Sequence, residues 1–115
     1  RVLAQVWQPL DADGPRWLML DEPVSSLDIA HQLTVMRLAA DYARAGGGVV
    51  AVMHDLNLTA LFAQKLVLMS GGRVLCQGRP DEVLTDEALS SAYGCRLRVN
   101  AVPDSGIWVL PHAAA

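Results

Sequence analysis

The sequence predicts an α/β fold built on a parallel βαβ unit. Residues 17–20 and 49–53 are apolar runs without alternation, which is typical of parallel strands covered on both faces. Between them, apolar residues recur with helical spacing until Gly46-Gly47-Gly48. Because a strand, a helix and a second strand follow one another, we expect the two strands to be parallel.

The first half of the chain is assigned from local signals. Residues 1–7 are interpreted as the end of a helix that Pro9 closes, and residues 10–15 carry the Asp, Gly and Pro signals of a surface loop. The first strand ends in Asp21-Glu22-Pro23, and Asp28 is expected to cap the helix that follows. The apolar face of that helix comprises Ile29, Leu33, Met36, Ala40 and Ala43.

The second half of the chain predicts shorter elements. After His54, Asp55 is expected to cap a helix that runs to about Gln64. Residues 66–69 and 73–76 flank Ser70-Gly71-Gly72 as in a β-hairpin. The remaining predictions are two short helices, 80–84 and 86–93, and a terminal hairpin of residues 97–100 and 107–110.

Length and composition allow one small globular domain and exclude several functional classes. The chain has 115 residues, 52% of them hydrophobic and 18% charged, and a net charge of −3. Scattered basic residues and few aromatic residues disfavour nucleic acids and anionic membranes as partners. The apolar runs are far too short to cross a bilayer, and no signal peptide is expected from the residues that follow Arg1. Cys76 and Cys95 are interpreted as reduced thiols, and the expected compartment is the cytoplasm.

Polar side chains follow both predicted parallel strands. Asp21 and Glu22 end the first strand, and His54 ends the second. Ligands of parallel sheets bind beyond the carboxyl ends of the strands, so this convergence predicts a binding or catalytic site. Each motif alone is equally well explained as an ordinary strand end.

Three ordered motifs resemble the ATP-binding subunits of ABC transporters. Residues 17–23, Trp-Leu-Met-Leu-Asp-Glu-Pro, resemble the Walker B strand with its catalytic Glu. Residues 25–28, Ser-Ser-Leu-Asp, are similar to the D-loop, and residues 52–55, Val-Met-His-Asp, to the H-loop. The resemblance implies a partial P-loop NTPase fold in which this chain, residues 1–115, is the C-terminal portion of the ATP-binding domain.

The resemblance also implies roles for five residues. Asp21 would help to hold Mg²⁺ against the phosphates of ATP, Glu22 would polarise the attacking water, and His54 would contact the γ-phosphate. Ser26 and Asp28 would communicate with the nucleotide site of a second subunit in a nucleotide-sandwich dimer. The implied partners are that second copy, transmembrane permease subunits and, indirectly, a substrate-binding protein. The implied location is the inner face of the cell membrane.

Finer features resemble the subgroup that imports iron siderophores, haem and vitamin B12. They include Leu27-Asp28-Ile29-Ala30-His31-Gln32 and the stretch from His54 to Leu58. The extended segment 7–16 ahead of the Walker B strand looks most like haem importers. The implied function is ATP hydrolysis that energises the import of hemin or of a related siderophore or B12 ligand.

Several family motifs are absent from the chain. It contains no Walker A loop, Q-loop or signature motif, and no Gly-Lys dipeptide. The Gly46–Gly48 run precedes a strand, whereas a phosphate-cradling loop follows a strand and opens a helix. This chain alone is therefore expected to be inactive. The alternative is a non-catalytic, truncated fragment that self-associates through an uncovered sheet and neither binds nor hydrolyses ATP.

Other chemistries receive little support. His31 and His54 lack a third ligand with metal spacing, so a structural or solvent-facing His31 is expected. Adjacent carboxylates such as Asp21 and Glu22 cannot flank a sugar as glycosidases require. Ser25 and Ser26 have no obvious base partner for a hydrolase triad.

Overall fold

The computed structural model describes residues 3–7 and 16–111, with side chains from residue 16 onward. The elements are β1 (Leu3–Trp7), β2 (Trp17–Asp21), α1 (Ile29–Arg44), β3 (Gly48–Val52), α2 (Leu56–Phe62), β4 (Leu66–Ser70), β5 (Arg73–Gly78), α3 (Pro80–Val83) and α4 (Asp86–Tyr93). The chain divides into two units, one extending to Phe62 and the other running from Ala63 to Val109. Across the described residues, no helix is both long enough and apolar enough to span a membrane.

The first unit contains the predicted βαβ arrangement. Strands β2 and β3 are parallel, in register from Trp17 opposite Gly48 to Asp21 opposite Val52, and α1 connects them. Strand β1 pairs with the other edge of β2, which gives the order β1-β2-β3. The α/β fold and the parallel pairing are thus confirmed.

Helix α1 begins and ends where the sequence predicts. The Asp28 side chain accepts a hydrogen bond from the backbone N–H of His31 and so caps the first turn. The helix ends at Arg44, ahead of the glycine run. Gly48 opens β3, and a β-carbon there would lie 2.5 Å from the Trp17 ring, so the strand pairing itself favours glycine. Gly48 is therefore favoured by the strand pairing and not by the end of the helix.

The core of the first unit lies between the helices and the turn after β2. Val24, Leu33, Met36 and Leu58 are buried together, and Met53, Leu61 and Phe62 pack partly buried against them. The sequence predicts strands covered on both faces, but within the described residues one face is open. Trp17, Met19, Val50 and Val52 are 40%, 47%, 46% and 53% exposed, respectively.

The prediction of a helix end at residues 1–7 is wrong, because Leu3–Trp7 forms strand β1. Its five residues pair antiparallel with the whole of β2, from Leu3 opposite Asp21 to Trp7 opposite Trp17. Five residues are too few to distinguish helical from alternating spacing, and pairing along the edge of β2 satisfies the backbone equally well. The predicted loop at residues 10–15 lies outside the described residues.

The second unit is a β-hairpin with two short helices. Strands β4 and β5 pair antiparallel, and Gly71 and Gly72 supply the positive φ angles, 58° and 75°, that a tight hairpin turn requires. The side chain of Thr85 accepts a hydrogen bond from the N–H of Ala88 and caps α4. Val83 and Leu89 are the buried hydrophobic residues of this unit. The first predicted hairpin and both short helices are confirmed.

The predicted terminal hairpin is absent, since the described residues beyond Gly78 form no strand. In the segment after α4, backbone N–H groups instead donate hydrogen bonds to side chains of that helix. The N–H of Leu97 donates to Ser90 Oγ at 2.9 Å, and the N–H of Val99 donates to Asp86 Oδ1 at 2.6 Å. Ile107 is 97% exposed. At Leu97 and Val99, bonds to side chains thus take the place of the strand ladder that the apolar pattern predicts.

Candidate functional site

The site forms where β2 and β3 end. Asp21 is the last residue of β2, Glu22 follows it, and His54 comes two residues after the end of β3. The N–H of Glu22 donates to the carbonyl of Val52 at 2.9 Å and so extends the pairing one residue beyond β2. This backbone bond places Glu22 beside the segment that leads to His54.

Glu22 and His54 are in direct contact. Glu22 Oε1 lies 2.6 Å from His54 Nε2, and the two side chains are 43% and 72% exposed. With Nε2 protonated, the imidazole donates this hydrogen bond to the carboxylate. The sequence-predicted convergence of the two strand ends is therefore present as a carboxylate–imidazole pair open to solvent.

The backbone of Glu22 adopts an unusual conformation. Its φ is +51°, and Ser26 in the same turn has a φ of +66°. Residues other than glycine seldom adopt the left-handed region, and such residues persist where their surroundings hold them. The turn from Glu22 to Asp28 therefore has an unfavourable backbone conformation that contacts with the rest of the protein must stabilise.

Backbone hydrogen bonds within the turn stabilise it. The N–H of Ser25 donates to the Glu22 carbonyl at 3.1 Å, and the N–H of Leu27 donates to the Val24 carbonyl at 3.3 Å. Pro23 and Val24 are buried, so the middle of the turn is anchored in the core. The serines at its tip, Ser25 and Ser26, are exposed.

Asp28 and His31 form a second carboxylate–imidazole pair. Asp28 Oδ1 accepts from the N–H of His31 at 2.9 Å and lies 2.7 Å from His31 Nδ1. The backbone hydrogen bond, followed by the side-chain hydrogen bond, lowers the pKa of Asp28 from its ordinary value of 3.8. His31 is therefore a partner of Asp28, in agreement with the structural role expected from the sequence.

The lowered pKa of Asp28 predicts a pH-dependent stability. A carboxyl group with a folded-state pKa below its unfolded value contributes stability above the unfolded value. We expect that contribution to be complete above about pH 5, and to be lost as the pH falls below 3.8 and through the lowered folded pKa. Asp28→Asn, which keeps a capping oxygen but does not titrate, should flatten this part of the curve.

Urea denaturation at several pH values between about 2 and 6 would measure the effect. Asp104→Asn serves as the matched control, because Asp104 is exposed in the segment after α4. Equal pH dependence of the wild-type and Asp28→Asn chains would contradict the assigned role of Asp28.

Of the five predicted site residues, the structure brings the side chains of Glu22 and His54 into direct contact. Among the described residues, no hydrogen bond joins the side chain of Asp21, Ser26 or Asp28 to the Glu22–His54 pair. Asp21 is exposed at the end of β2. The described part of the chain also holds no group of three His, Cys, Asp or Glu side chains able to bind a metal. An exposed carboxylate such as Asp21 has the chemistry to bind a Mg²⁺ ion that keeps most of its waters, because such an ion needs only one or two protein carboxylates.

Gln32 is a residue whose contact the sequence analysis missed. Its side-chain Nε2 donates to the carbonyl of Val24 at 3.3 Å and so joins α1 to the turn that carries Glu22. The sequence places Gln32 in a stretch similar to known importers, but no periodicity or motif indicates a bond eight residues back along the chain.

Comparisons with curated proteins give matches along almost the whole chain. It is 64% identical over 115 residues to the hemin import ATP-binding protein HmuV of Roseobacter denitrificans, covering 99% of this chain and 44% of the relative. The protein of the same name from Jannaschia is 63% identical, with 99% and 43% covered. That from Rhizobium meliloti is 56% identical, with 99% and 44% covered. The chain thus spans less than half the length of these relatives.

Solved structures give the same result for the fold. An inward-facing structure of a putative metal-chelate type ABC transporter matches with a TM-score of 0.64 and 30% identity, covering 70% of this chain and 32% of that chain. The cbiO1 protein of Clostridium perfringens, part of the ABC transporter complex cbiONQ, matches with a TM-score of 0.54 and 29% identity, covering 65% and 30%. No protein-family model matches the chain. The sequence and structure matches agree: this chain is similar to part of the ATP-binding subunits of ABC transporters.

Proposed function

We propose that this chain supplies the Walker B, D-loop and H-loop part of an ATP-hydrolysing site in an ABC importer. The observation that carries the proposal is the contact between Glu22 Oε1 and His54 Nε2, 2.6 Å apart at the carboxyl ends of two parallel strands. A carboxylate held at this edge can polarise a water, and an imidazole beside it can donate a hydrogen bond to a phosphate oxygen.

Each residue of the site has a distinct proposed role. Asp21 would help to hold a Mg²⁺ ion, which would neutralise phosphate charge of bound ATP. Glu22 orients and polarises the attacking water, and His54 contacts the γ-phosphate. Ser26, exposed at the tip of the turn, and Asp28, at the start of α1, face the nucleotide site of a second copy.

The proposed cargo is hemin or a related iron chelate. Support comes from the names of the relatives, which are hemin import ATP-binding proteins up to 64% identical to this chain. A solved neighbour is described as a metal-chelate type transporter. The proposed partners are transmembrane permease subunits that hold the ATPase at the inner face of the membrane and, indirectly, a substrate-binding protein.

A chimeric subunit tests this function. Residues 1–115 replace the 115 matched residues of the Roseobacter denitrificans relative, which supplies the remainder of the domain. We expect the folded chimera to hydrolyse ATP only with Mg²⁺ and to restore hemin-dependent growth to a strain that lacks its own hemin ATPase. The 115-residue chain alone should show no turnover. A folded chimera without Mg²⁺-dependent turnover would contradict the proposal.

A second candidate function is self-association without catalysis. The open sheet face that includes Trp17, Met19, Val50 and Val52 favours it, because uncovered apolar strands promote oligomers. Sedimentation velocity of the 115-residue chain at several concentrations, with and without ATP, is the test. ATP-independent oligomers would support this candidate, whereas a monomer with one cooperative unfolding transition would count against it.

A further inference from the structure

The turn between β2 and α1 must hold two residues in the left-handed region. Glu22 and Ser26 have φ angles of +51° and +66°. Neither residue is glycine, so the turn depends on its surroundings to keep this shape. Since Glu22 is the first residue of the turn, any loosening of the turn also changes where the Glu22 carboxylate lies.

The turn is fixed at its strand end and in its middle. On the strand side, the N–H of Glu22 donates to the Val52 carbonyl at 2.9 Å. On the helix side, Gln32 Nε2 donates to the Val24 carbonyl at 3.3 Å. Val24 is buried in the core of the first unit, and Gln32 is partly buried, so solvent only partly competes for this bond.

The Val24 carbonyl receives two donors. One is the N–H of Leu27 within the turn, and the other is the side chain of Gln32. The N–H of Gln32 itself donates to the Asp28 carbonyl at 2.9 Å as part of the first turn of α1. Gln32 therefore links a rigid helix to the carbonyl two residues after Glu22.

We propose that Gln32 is a positioning residue, whose hydrogen bond to the Val24 carbonyl keeps Glu22 in contact with His54. The inference rests on the proposed function for its consequence in turnover, but the contact itself is a property of this chain. Without the donor, the Val24 carbonyl loses one partner in a partly buried site, and the turn gains alternative conformations. Glu22 then spends less time beside His54.

Nuclear magnetic resonance of the 115-residue chain tests the contact directly. The readout is the nuclear Overhauser effect between the γ-protons of Glu22 and the ring protons of His54. Gln32→Met keeps the length and helix propensity of the side chain but removes the donor, whereas Gln32→Lys keeps an N–H donor of similar reach. Thr34→Val is the matched control, because it removes a side-chain hydrogen bond to Ala30 in the same helix.

We expect the effect to weaken by about half or more in Gln32→Met, as loss of a neutral hydrogen bond allows other conformations to compete. It should persist in Gln32→Lys and Thr34→Val. The amide spectrum of α1 shows whether the helix remains folded in each variant. An unchanged Glu22–His54 effect in a folded Gln32→Met chain would overturn the inference.

Turnover of the chimera provides the second readout. Gln32→Met should lower kcat about three- to tenfold and leave the KM for ATP nearly unchanged. Combined with Glu22→Gln, it should cause no further loss, because Gln32 acts only through Glu22. If Gln32→Met has wild-type turnover while Glu22→Gln is inactive, the role inferred for Gln32 is overturned and the proposed function is not. Wild-type turnover in Glu22→Gln would overturn the proposed function, and the contact measured in the 115-residue chain would still decide the role of Gln32.

Discussion

Glu22→Gln in the chimeric subunit is expected to lower kcat for ATP hydrolysis by about 10²-fold or more, since a positioned general base contributes about 10² to 10⁴. The glutamine keeps the size of the side chain and can still accept a hydrogen bond from His54 Nε2, which lies 2.6 Å from Glu22 Oε1 in the wild-type chain. It cannot take a proton from water. ATP binding should therefore persist while hydrolysis becomes much slower.

The measurements are steady-state hydrolysis with Mg²⁺ and equilibrium binding of a fluorescent ATP analogue. Glu87→Gln is the matched control, because Glu87 is an exposed carboxylate in the first turn of α4, in the other unit of the chain. Its turnover should equal that of the wild type. Loss of ATP binding in Glu22→Gln, or normal hydrolysis by it, would contradict the role proposed for Glu22.

The contact between Glu22 and His54 is predictable because it follows from chain topology. Two apolar runs joined by one helix predict parallel strands, and parallel strands bring their carboxyl ends to the same edge. The residues directly after those runs must then be neighbours. The distance of 2.6 Å between Glu22 Oε1 and His54 Nε2 agrees with this prediction.

Other features depend on which backbone groups find partners, and a hydrophobic pattern does not contain that information. Residues 3–7 form a strand because the edge of β2 offers them a complete ladder. Residues 97–100 form none, because Ser90 and Asp86 occupy the N–H groups of Leu97 and Val99. The bond from Gln32 to Val24 likewise joins a side chain to a backbone atom, which no apolar spacing encodes.

Leu58→Ala is expected to destabilise the chain by about 2 to 5 kcal/mol, the usual cost of a large-to-small change in a core. Leu58 is only 1% exposed and lies in the cluster with Val24, Leu33 and Met36. Its N–H donates to Asp55 Oδ1 at 2.9 Å in the first turn of α2, and Leu58→Ala keeps this backbone bond, so the change removes only the packed side chain. Natural domains are stable by about 5 to 15 kcal/mol, so this change should shift the urea midpoint strongly.

Leu58→Met is the matched comparison, because methionine is apolar and conserves the volume of leucine. Such a change usually costs less than about 1.5 kcal/mol, so a larger loss in Leu58→Ala reports the cavity. Circular dichroism at 222 nm during urea denaturation measures both variants against the wild type. A loss below about 1 kcal/mol in Leu58→Ala would mean that the core tolerates the cavity.

The expected larger loss of stability in Leu58→Ala has a consequence for the site. Leu58 lies in the same buried cluster as Val24, whose carbonyl accepts from Gln32, and it belongs to the helix that begins two residues after His54. One buried side chain thus supports both segments that bring Glu22 and His54 together.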